Sequence, residues 1–254
     1  MGLFSTIGNF ISGVGRAISN GISTLCHAIG GTALGKIITE GVTKLAAVIG
    51  VAFPPLEIIN AILVVADIVS KMAEALGLKE KEKDDPDELA MKAEKSDKKP
   101  EDFDSTEAYI RHLQKEIELT DEDKEKLESM DDEKRSAYRA TGTYLYTKYI
   151  NEKLGFDNTG LKNPELIGIT AEILTDLAKL SKVILPSDFV VYSRYLLAGG
   201  LTLNNFSDYL NNRSESIAVD RKVQEALAGA MKEIKPDITK DEIDKKLSEM
   251  NIED

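Results

Sequence analysis

The chain of 254 residues carries 32 Lys and Arg against 44 Asp and Glu, a net charge of −12. This acidic balance argues against a nucleic-acid partner, because phosphate recognition needs a basic surface. One cysteine and two histidines leave little material for a disulfide framework or a Cys- or His-rich metal site, so we expect neither a metal nor a cofactor.

Charge is distributed unevenly along the chain. Residues 1–78 contain four basic and four acidic side chains, so residues 79–254 carry the entire net charge of −12. Of the 29 residues from 79 to 107, 19 are charged, a composition that buries too little apolar surface to fold. These shifts predict three parts: a Gly-rich helical segment 1–78, a charged solvated linker 79–104 and an acidic α-helical domain 105–254.

An amphipathic helix is predicted over residues 3–29. At 100° per residue its apolar side chains share one side of the helix, and Ser and Asn dominate the other. We call the apolar set the apolar arc: Leu3, Phe4, Ile7, Phe10, Ile11, Val14, Ile18, Ile22, Leu25 and Ile29. Four glycines lie within the stretch and each costs about 1 kcal/mol against Ala, so the helix needs a surface on which to fold. That surface is either a lipid interface or the protein's own core or another subunit.

The start of this helix carries a resemblance to known peptides. Residues 2–11 read GLFSTIGNFI and resemble the start of viral fusion peptides and of membrane-lytic amphipathic peptides. The polar face, rich in Ser and Asn, is similar to that of lipid-packing-sensor helices. The resemblance implies a membrane-active segment that binds a bilayer by burying apolar area rather than by charge. The opening MGLFST also fits the loose pattern for N-myristoylation at Gly2.

Two further apolar helices are predicted, a short one over residues 38–49 and a longer one over residues 56–76. Residues 45–69 would form a hydrophobic hairpin, and each half is shorter than the roughly 20 residues needed to span a bilayer. The hairpin is either a re-entrant element of the kind found in pore-forming bacteriocins or a buried core hairpin. The first interpretation extends the membrane-binding residues to Phe53, Leu56, Ile59 and Leu63.

A phosphate-loop spacing occurs between the first two predicted helices. Residues 30–36 read GGTALGK and fit G-x-x-x-x-G-K. However, Ile37 stands where Ser or Thr would bind Mg²⁺, the preceding segment has helical periodicity, and no later repeats of strand and helix follow. We interpret the match as coincidental and keep an NTPase only as a third class of function.

The acidic part reads as helices throughout, which makes the predicted fold class all-α. The start signals are N-cap residues and prolines. The predicted helices begin at Ser105 and Thr120, run from Asp131 to Leu154 and from Asn163 to Leu185, begin again at Ser187, run from Glu215 to Ile234, and end with a capping box at Thr239 and Glu242. The tyrosines are interpreted as buried aromatic core, and no arrangement of catalytic residues stands out, so we expect no enzyme.

Together these patterns predict a non-enzymatic, membrane-interacting protein. The apolar arc and the hairpin would insert into or perturb a bilayer, while the acidic domain would keep the chain soluble and dock it to a carrier. The favoured role is that of a delivered minor virion component that aids membrane penetration. The alternatives are a pore-forming effector carried by a secretion apparatus, or a structural protein that uses the N-terminal helices as a homo-oligomer interface. No Sec signal peptide is expected, because the N-terminus has no basic region and no small-residue cleavage site.

Overall fold

The computed structural model describes residues 13–30, 33–52, 58–78 and 84–252, and over these residues the fold is all-α, as predicted. The first seven helices are α1 (Gly13–Gly30), α2 (Ala33–Ala52), α3 (Ile58–Ala75), α4 (Pro86–Lys95), α5 (Thr106–Glu116), α6 (Asp121–Glu128) and α7 (Asp132–Lys153). The remaining five are α8 (Ala171–Lys179), α9 (Pro186–Ala198), α10 (Leu203–Leu210), α11 (Ile217–Ile234) and α12 (Lys240–Glu249).

Helix starts follow local side-chain chemistry closely. The hydroxyl groups of Ser105, Thr120 and Thr239 accept hydrogen bonds from backbone amides in the first turn of α5, α6 and α12. Each bond satisfies one of the amides that a helix N-terminus leaves without an intrahelical partner. The starts predicted at these three residues are therefore confirmed.

Helix α7 lies at the centre of the molecule. It packs against each of the helices α1 to α5 and is buried on every side from residue 140 to residue 151. Its tyrosine rings fill the core, and their hydroxyl groups donate to distant chain segments: Tyr138 to Glu94, Tyr146 to the carbonyl of Asp84 and Tyr149 to the carbonyl of Leu76. The interpretation of these tyrosines as core is confirmed, and burial raises the pKa of Tyr149 to about 12.

The neutral helices α1, α2 and α3 pack around α7 and join the same hydrophobic core as the acidic part. Small residues allow close approach at these contacts. A Cβ placed on Gly21 of α1 would lie 2.9 Å from the Cβ of Ala137, and a Cβ placed on Gly41 of α2 would overlap the ring of Tyr144. Helix α3 also contacts α8 and α9. Helices α1, α2 and α3 are thus one layer of a common core.

The solvated linker predicted for residues 79–104 is not what the structure has over residues 84–104. Helix α4 packs against α7, with Leu89 and Met91 buried. Its Asp87, also buried, accepts hydrogen bonds from Arg135 Nε at 2.8 Å and Arg139 Nη2 at 3.1 Å. The charged composition of this segment was misleading, because a carboxylate that is paired with arginines of α7 can be buried.

The single helix predicted from Asn163 to Leu185 is also wrong. The backbone is irregular from residue 163 to Thr170, and α8 begins only after Thr170 caps it. Gly168 adopts a φ of 96°, a left-handed conformation that interrupts a helix. This irregular connection between α7 and α8 is held by three buried side chains of α7.

Those three side chains form a polar stripe on α7: Tyr144, Lys148 and Asn151. Tyr144 Oη donates to the carbonyl of Pro164 at 3.1 Å, and Lys148 Nζ donates to the carbonyl of Glu165 at 2.8 Å. The side-chain amide of Asn151 bonds reciprocally to the backbone N–H and carbonyl of Ile169, at 2.7 and 3.1 Å. Buried backbone groups need hydrogen-bond partners. The polar side chains of α7 supply them to the connection, which has no regular backbone hydrogen bonding of its own.

Candidate membrane-active surface

The described half of the apolar arc is buried inside the protein. Ile18, Ile22, Leu25 and Ile29 are almost completely covered, and α1 packs against α2, α4 and α7. Of the two surfaces left open by the sequence, the protein's own core covers these four side chains in this conformation. The rest of the arc, Leu3, Phe4, Ile7, Phe10 and Ile11, lies outside the described residues, as does the side chain of Val14.

Unlike the described part of the apolar arc, the predicted hairpin has exposed apolar side chains. Ile59 is half-buried and packs on the core, whereas Leu63 is exposed, and Phe53 and Leu56 lie outside the described residues. Val64 on α3 and Val51 on α2 are exposed as well. We call Val51, Leu63 and Val64 the exposed apolar residues of the hairpin. The sequence pattern assigned only Leu63 among them to a membrane-binding role.

Two lysines on the same helices have acidic partners within short distances. Lys71 Nζ donates to Asp67 Oδ2 at 2.6 Å, one turn away on α3. Lys44 on α2 pairs with Glu165 and lies 3.4 Å from Glu40 Oε1. The hydrogen bond to Glu165 raises the pKa of Lys44 above its ordinary value, against the opposing effect of burial. Paired charges leave these helices without a strong net field.

The contacts that hold residues 13–78 to the rest of the molecule are mainly apolar. Polar links include the Lys44–Glu165 ion pair, Lys99 Nζ with the carbonyl of Ala28 at 3.2 Å, and the Tyr149 hydroxyl with the carbonyl of Leu76 at 3.2 Å. The charged groups of these links, Lys44, Glu165 and Lys99, are partly exposed to solvent. The bond from the Tyr149 hydroxyl is a single neutral hydrogen bond, worth about 1 kcal/mol net. Separation of these helices from the rest of the molecule would therefore expose apolar surface and would leave no buried charge without its partner.

A groove of about 520 Å³ runs between α2 and α8. Leu45, Val48 and Ala171 provide apolar walls, and Lys44 and Glu172 lie among its polar residues. The groove borders the exposed Val51, so the outer side of α2 continues the apolar character of the hairpin.

The phosphate-loop spacing lies in a helical context. Helix α1 ends at Gly30 and α2 begins at Ala33, whereas a phosphate-binding loop follows a β-strand. Within the described ranges, no group of three or more His, Cys, Asp or Glu side chains is placed to hold a metal ion.

Across the parts of the chain that the structure describes, none of the helices is both long and apolar enough to cross a bilayer. No protein-family model, no curated protein and no solved structure matches the chain.

Proposed function

We propose that the protein is a non-enzymatic, membrane-interacting protein whose N-terminal helices perturb a bilayer after they separate from the acidic helical body. The observation that carries the proposal is the exposure of Val51, Leu63 and Val64 on a net-neutral pair of helices. These side chains would enter the interface first. The buried face of α1 would follow, because separation from the body exposes its apolar side chains Ile18, Ile22, Leu25 and Ile29 to lipid.

The acidic body would keep the protein soluble while it is carried. The role in a virion draws support from the resemblance of residues 2–11 to fusion peptides, and a pore-forming effector is the alternative carrier-delivered role. In either role the lipid bilayer and a carrier protein are the partners, and the protein becomes membrane-associated only on release.

The exposed residues offer a test with a matched control. Val51 and Leu63 are 62% and 40% exposed, while Leu185 and Leu197 at α9 are 61% and 40% exposed. We expect Val51→Asp/Leu63→Asp to weaken binding to neutral phosphatidylcholine vesicles by about tenfold or more, because two apolar contacts are replaced by two charges. The control Leu185→Asp/Leu197→Asp should bind as the wild type does. Vesicle flotation at low and high salt measures both, and salt should have little effect on the wild type.

An engineered disulfide tests whether α1 must leave the core. The ideal Cβ position at Gly21 lies 2.9 Å from the Cβ of Ala137, and a disulfide needs about 3.8 Å, so a small shift suffices. We expect Gly21→Cys/Ala137→Cys, in a Cys26→Ser background, to cause at least about tenfold less dye leakage from vesicles when oxidised than when reduced. Each single-cysteine variant under the same oxidant is the control.

Two results would contradict the proposal. Equal leakage from the oxidised and reduced double-cysteine protein would show that α1 acts without leaving α7. Unchanged vesicle binding by Val51→Asp/Leu63→Asp, together with a loss of self-association in analytical ultracentrifugation, would assign the N-terminal helices to an oligomer interface.

A further inference from the structure

A second cavity lies at the opposite end of the α7–α8 connection. Its volume is about 560 Å³, large enough for a small organic ligand. The segment from Pro100 to Thr106 forms one wall, Glu152 at the end of α7 forms another, and the start of the connection, from Gly155 to Lys162, closes it. All of these residues are described by the structure.

One buried hydroxyl group in this cavity has no partner. Thr106 is 1% exposed, and its Oγ1 makes no hydrogen bond. The buried threonines of α7 differ, because Thr141, Thr143 and Thr147 each donate to a carbonyl four residues earlier at 2.7 to 2.8 Å. A buried polar group left without a partner is costly, so a ligand atom that bonds to this hydroxyl group would stabilise the site.

The hydroxyl group lies close to Gly160. A Cβ at Gly160 would lie 3.2 Å from Thr106 Oγ1 and 3.5 Å from Glu152 Oε2. A hydroxyl oxygen and a carboxylate oxygen therefore lie beside the same glycine of the cavity wall. Glu152 Oε2 already accepts the backbone N–H of Thr106 at 3.0 Å, and a carboxylate has lone pairs to accept more.

The net negative charge of the cavity wall favours a cationic ligand. Asp157 is neutralised by Lys148, whose Nζ lies 2.6 Å from its Oδ2. The other ionisable residues of the wall are three acids and one base: Glu101, Asp104, Glu152 and Lys162. Glu101 and Asp104 lie on one wall and Glu152 on another, and no three acidic, His or Cys side chains of the described chain are grouped to hold one metal ion. Such spacing fits an extended organic cation better than a single ion, and Phe103 and Leu161 offer apolar surface for its methylene groups.

We propose that this cavity binds an aliphatic ammonium group, with Thr106 Oγ1 and the Glu152 carboxylate accepting its N–H donors. An ammonium carries three donors and no acceptor, which matches a site that offers a hydroxyl oxygen beside a carboxylate. The group is either the end of a free polyamine or the side chain of a lysine from a partner protein.

The test is thermal unfolding of the full chain with putrescine, spermidine, Nα-acetyl-lysine amide or calcium chloride. A saturating amine should raise the unfolding temperature of the wild type by about 5 °C. Thr106→Val and Glu152→Gln should each remove most of that shift, while Thr106→Ser should keep it. Without ligand, Thr106→Val should unfold no earlier than the wild type, because its hydroxyl group has no partner to lose. The control Thr143→Val removes a bonded hydroxyl group and should unfold earlier yet keep the shift.

The outcomes separate the sources and can overturn the proposal. A larger shift with the diamine and triamine assigns the site to a free polyamine, and a larger shift with the lysine amide assigns it to a partner's lysine. The proposal fails if no amine raises the unfolding temperature, or if the shift survives in both Thr106→Val and Glu152→Gln. It also fails if only calcium gives a shift that depends on Thr106. Glu152→Gln decides the matter if Thr106→Val does not fold.

Discussion

Replacing Lys148 with Met should lower the free energy of unfolding by about 3–5 kcal/mol, the cost of leaving one charge of a buried pair without its partner. Lys148 and Asp157 are both fully buried, and Lys148 Nζ lies 2.6 Å from Asp157 Oδ2. The same ammonium also holds the carbonyl of Glu165. Urea-induced unfolding followed by circular dichroism measures the change.

The matched control is Lys44→Met. Lys44 forms an ion pair with Glu165 on the surface of the same connection, and exposed pairs contribute about 0–1 kcal/mol. The double variant Lys148→Met/Asp157→Asn should recover part of the loss, because neither charge is then left alone. If Lys148→Met cost no more than Lys44→Met, the α7–α8 connection would not depend on the buried pair.

The pH dependence of stability supplies an independent readout of this pair. Burial by itself raises the pKa of Asp157, but hydrogen bonds from Lys148 and Thr159 outweigh it and lower the pKa below the ordinary value. A carboxyl group with a lowered folded pKa stabilises the protein above its unfolded pKa of about 3.9, and this contribution is lost as the pH falls through the folded value. Without Lys148 the burial effect dominates and raises the folded pKa of Asp157 above its unfolded value, so its charge destabilises Lys148→Met at neutral pH. The stability deficit of Lys148→Met against the wild type should therefore shrink as the pH falls through the raised pKa.

Local chemistry was readable from the sequence at three helix starts. The caps at Ser105, Thr120 and Thr239 depend on residues three positions apart, and the structure has all three. The periodicity of residues 18–29 likewise identified the face of α1 that is buried. It did not identify what covers that face, because lipid and a helix of the same protein require the same apolar stripe.

Pairing between residues far apart in the sequence could not be predicted from composition. The charged segment around α4 looked solvated because Asp87 has its partners 48 and 52 residues away, at Arg135 and Arg139. The cavity beside Thr106 was also invisible, since its hydroxyl group and the Glu152 carboxylate are 46 residues apart. A charge count records how many ionic groups a segment has but not whether the fold brings opposite charges to them.

Replacing Gly142 with Ala should destabilise the protein by about 3 kcal/mol or more, at the upper end of overpacking costs. A Cβ at this position of α7 would lie 1.8 Å from the carbonyl oxygen of Pro86 and 2.5 Å from its carbonyl carbon. Both atoms belong to the backbone of α4, so a side-chain rotation cannot relieve the overlap. Ala favours a helix over Gly by only about 1 kcal/mol, too little to offset the displacement of α4. Urea-induced unfolding measures the loss.

Gly229→Ala is the corresponding control, because Gly229 also lies inside a helix and also meets a close neighbour. Its Cβ would lie 2.8 Å from ring atoms of Tyr195, a side chain that can turn away, so we expect a change of no more than about 1 kcal/mol in either direction. Hydrogen exchange should distinguish the two variants further. In Gly142→Ala the amides of α4 should exchange faster, because α4 must move from α7 and Asp87 must leave its two arginines. If Gly142→Ala leaves both stability and exchange of α4 unchanged, α4 is not docked on α7, and residues 84–104 form the solvated linker that their charge suggests.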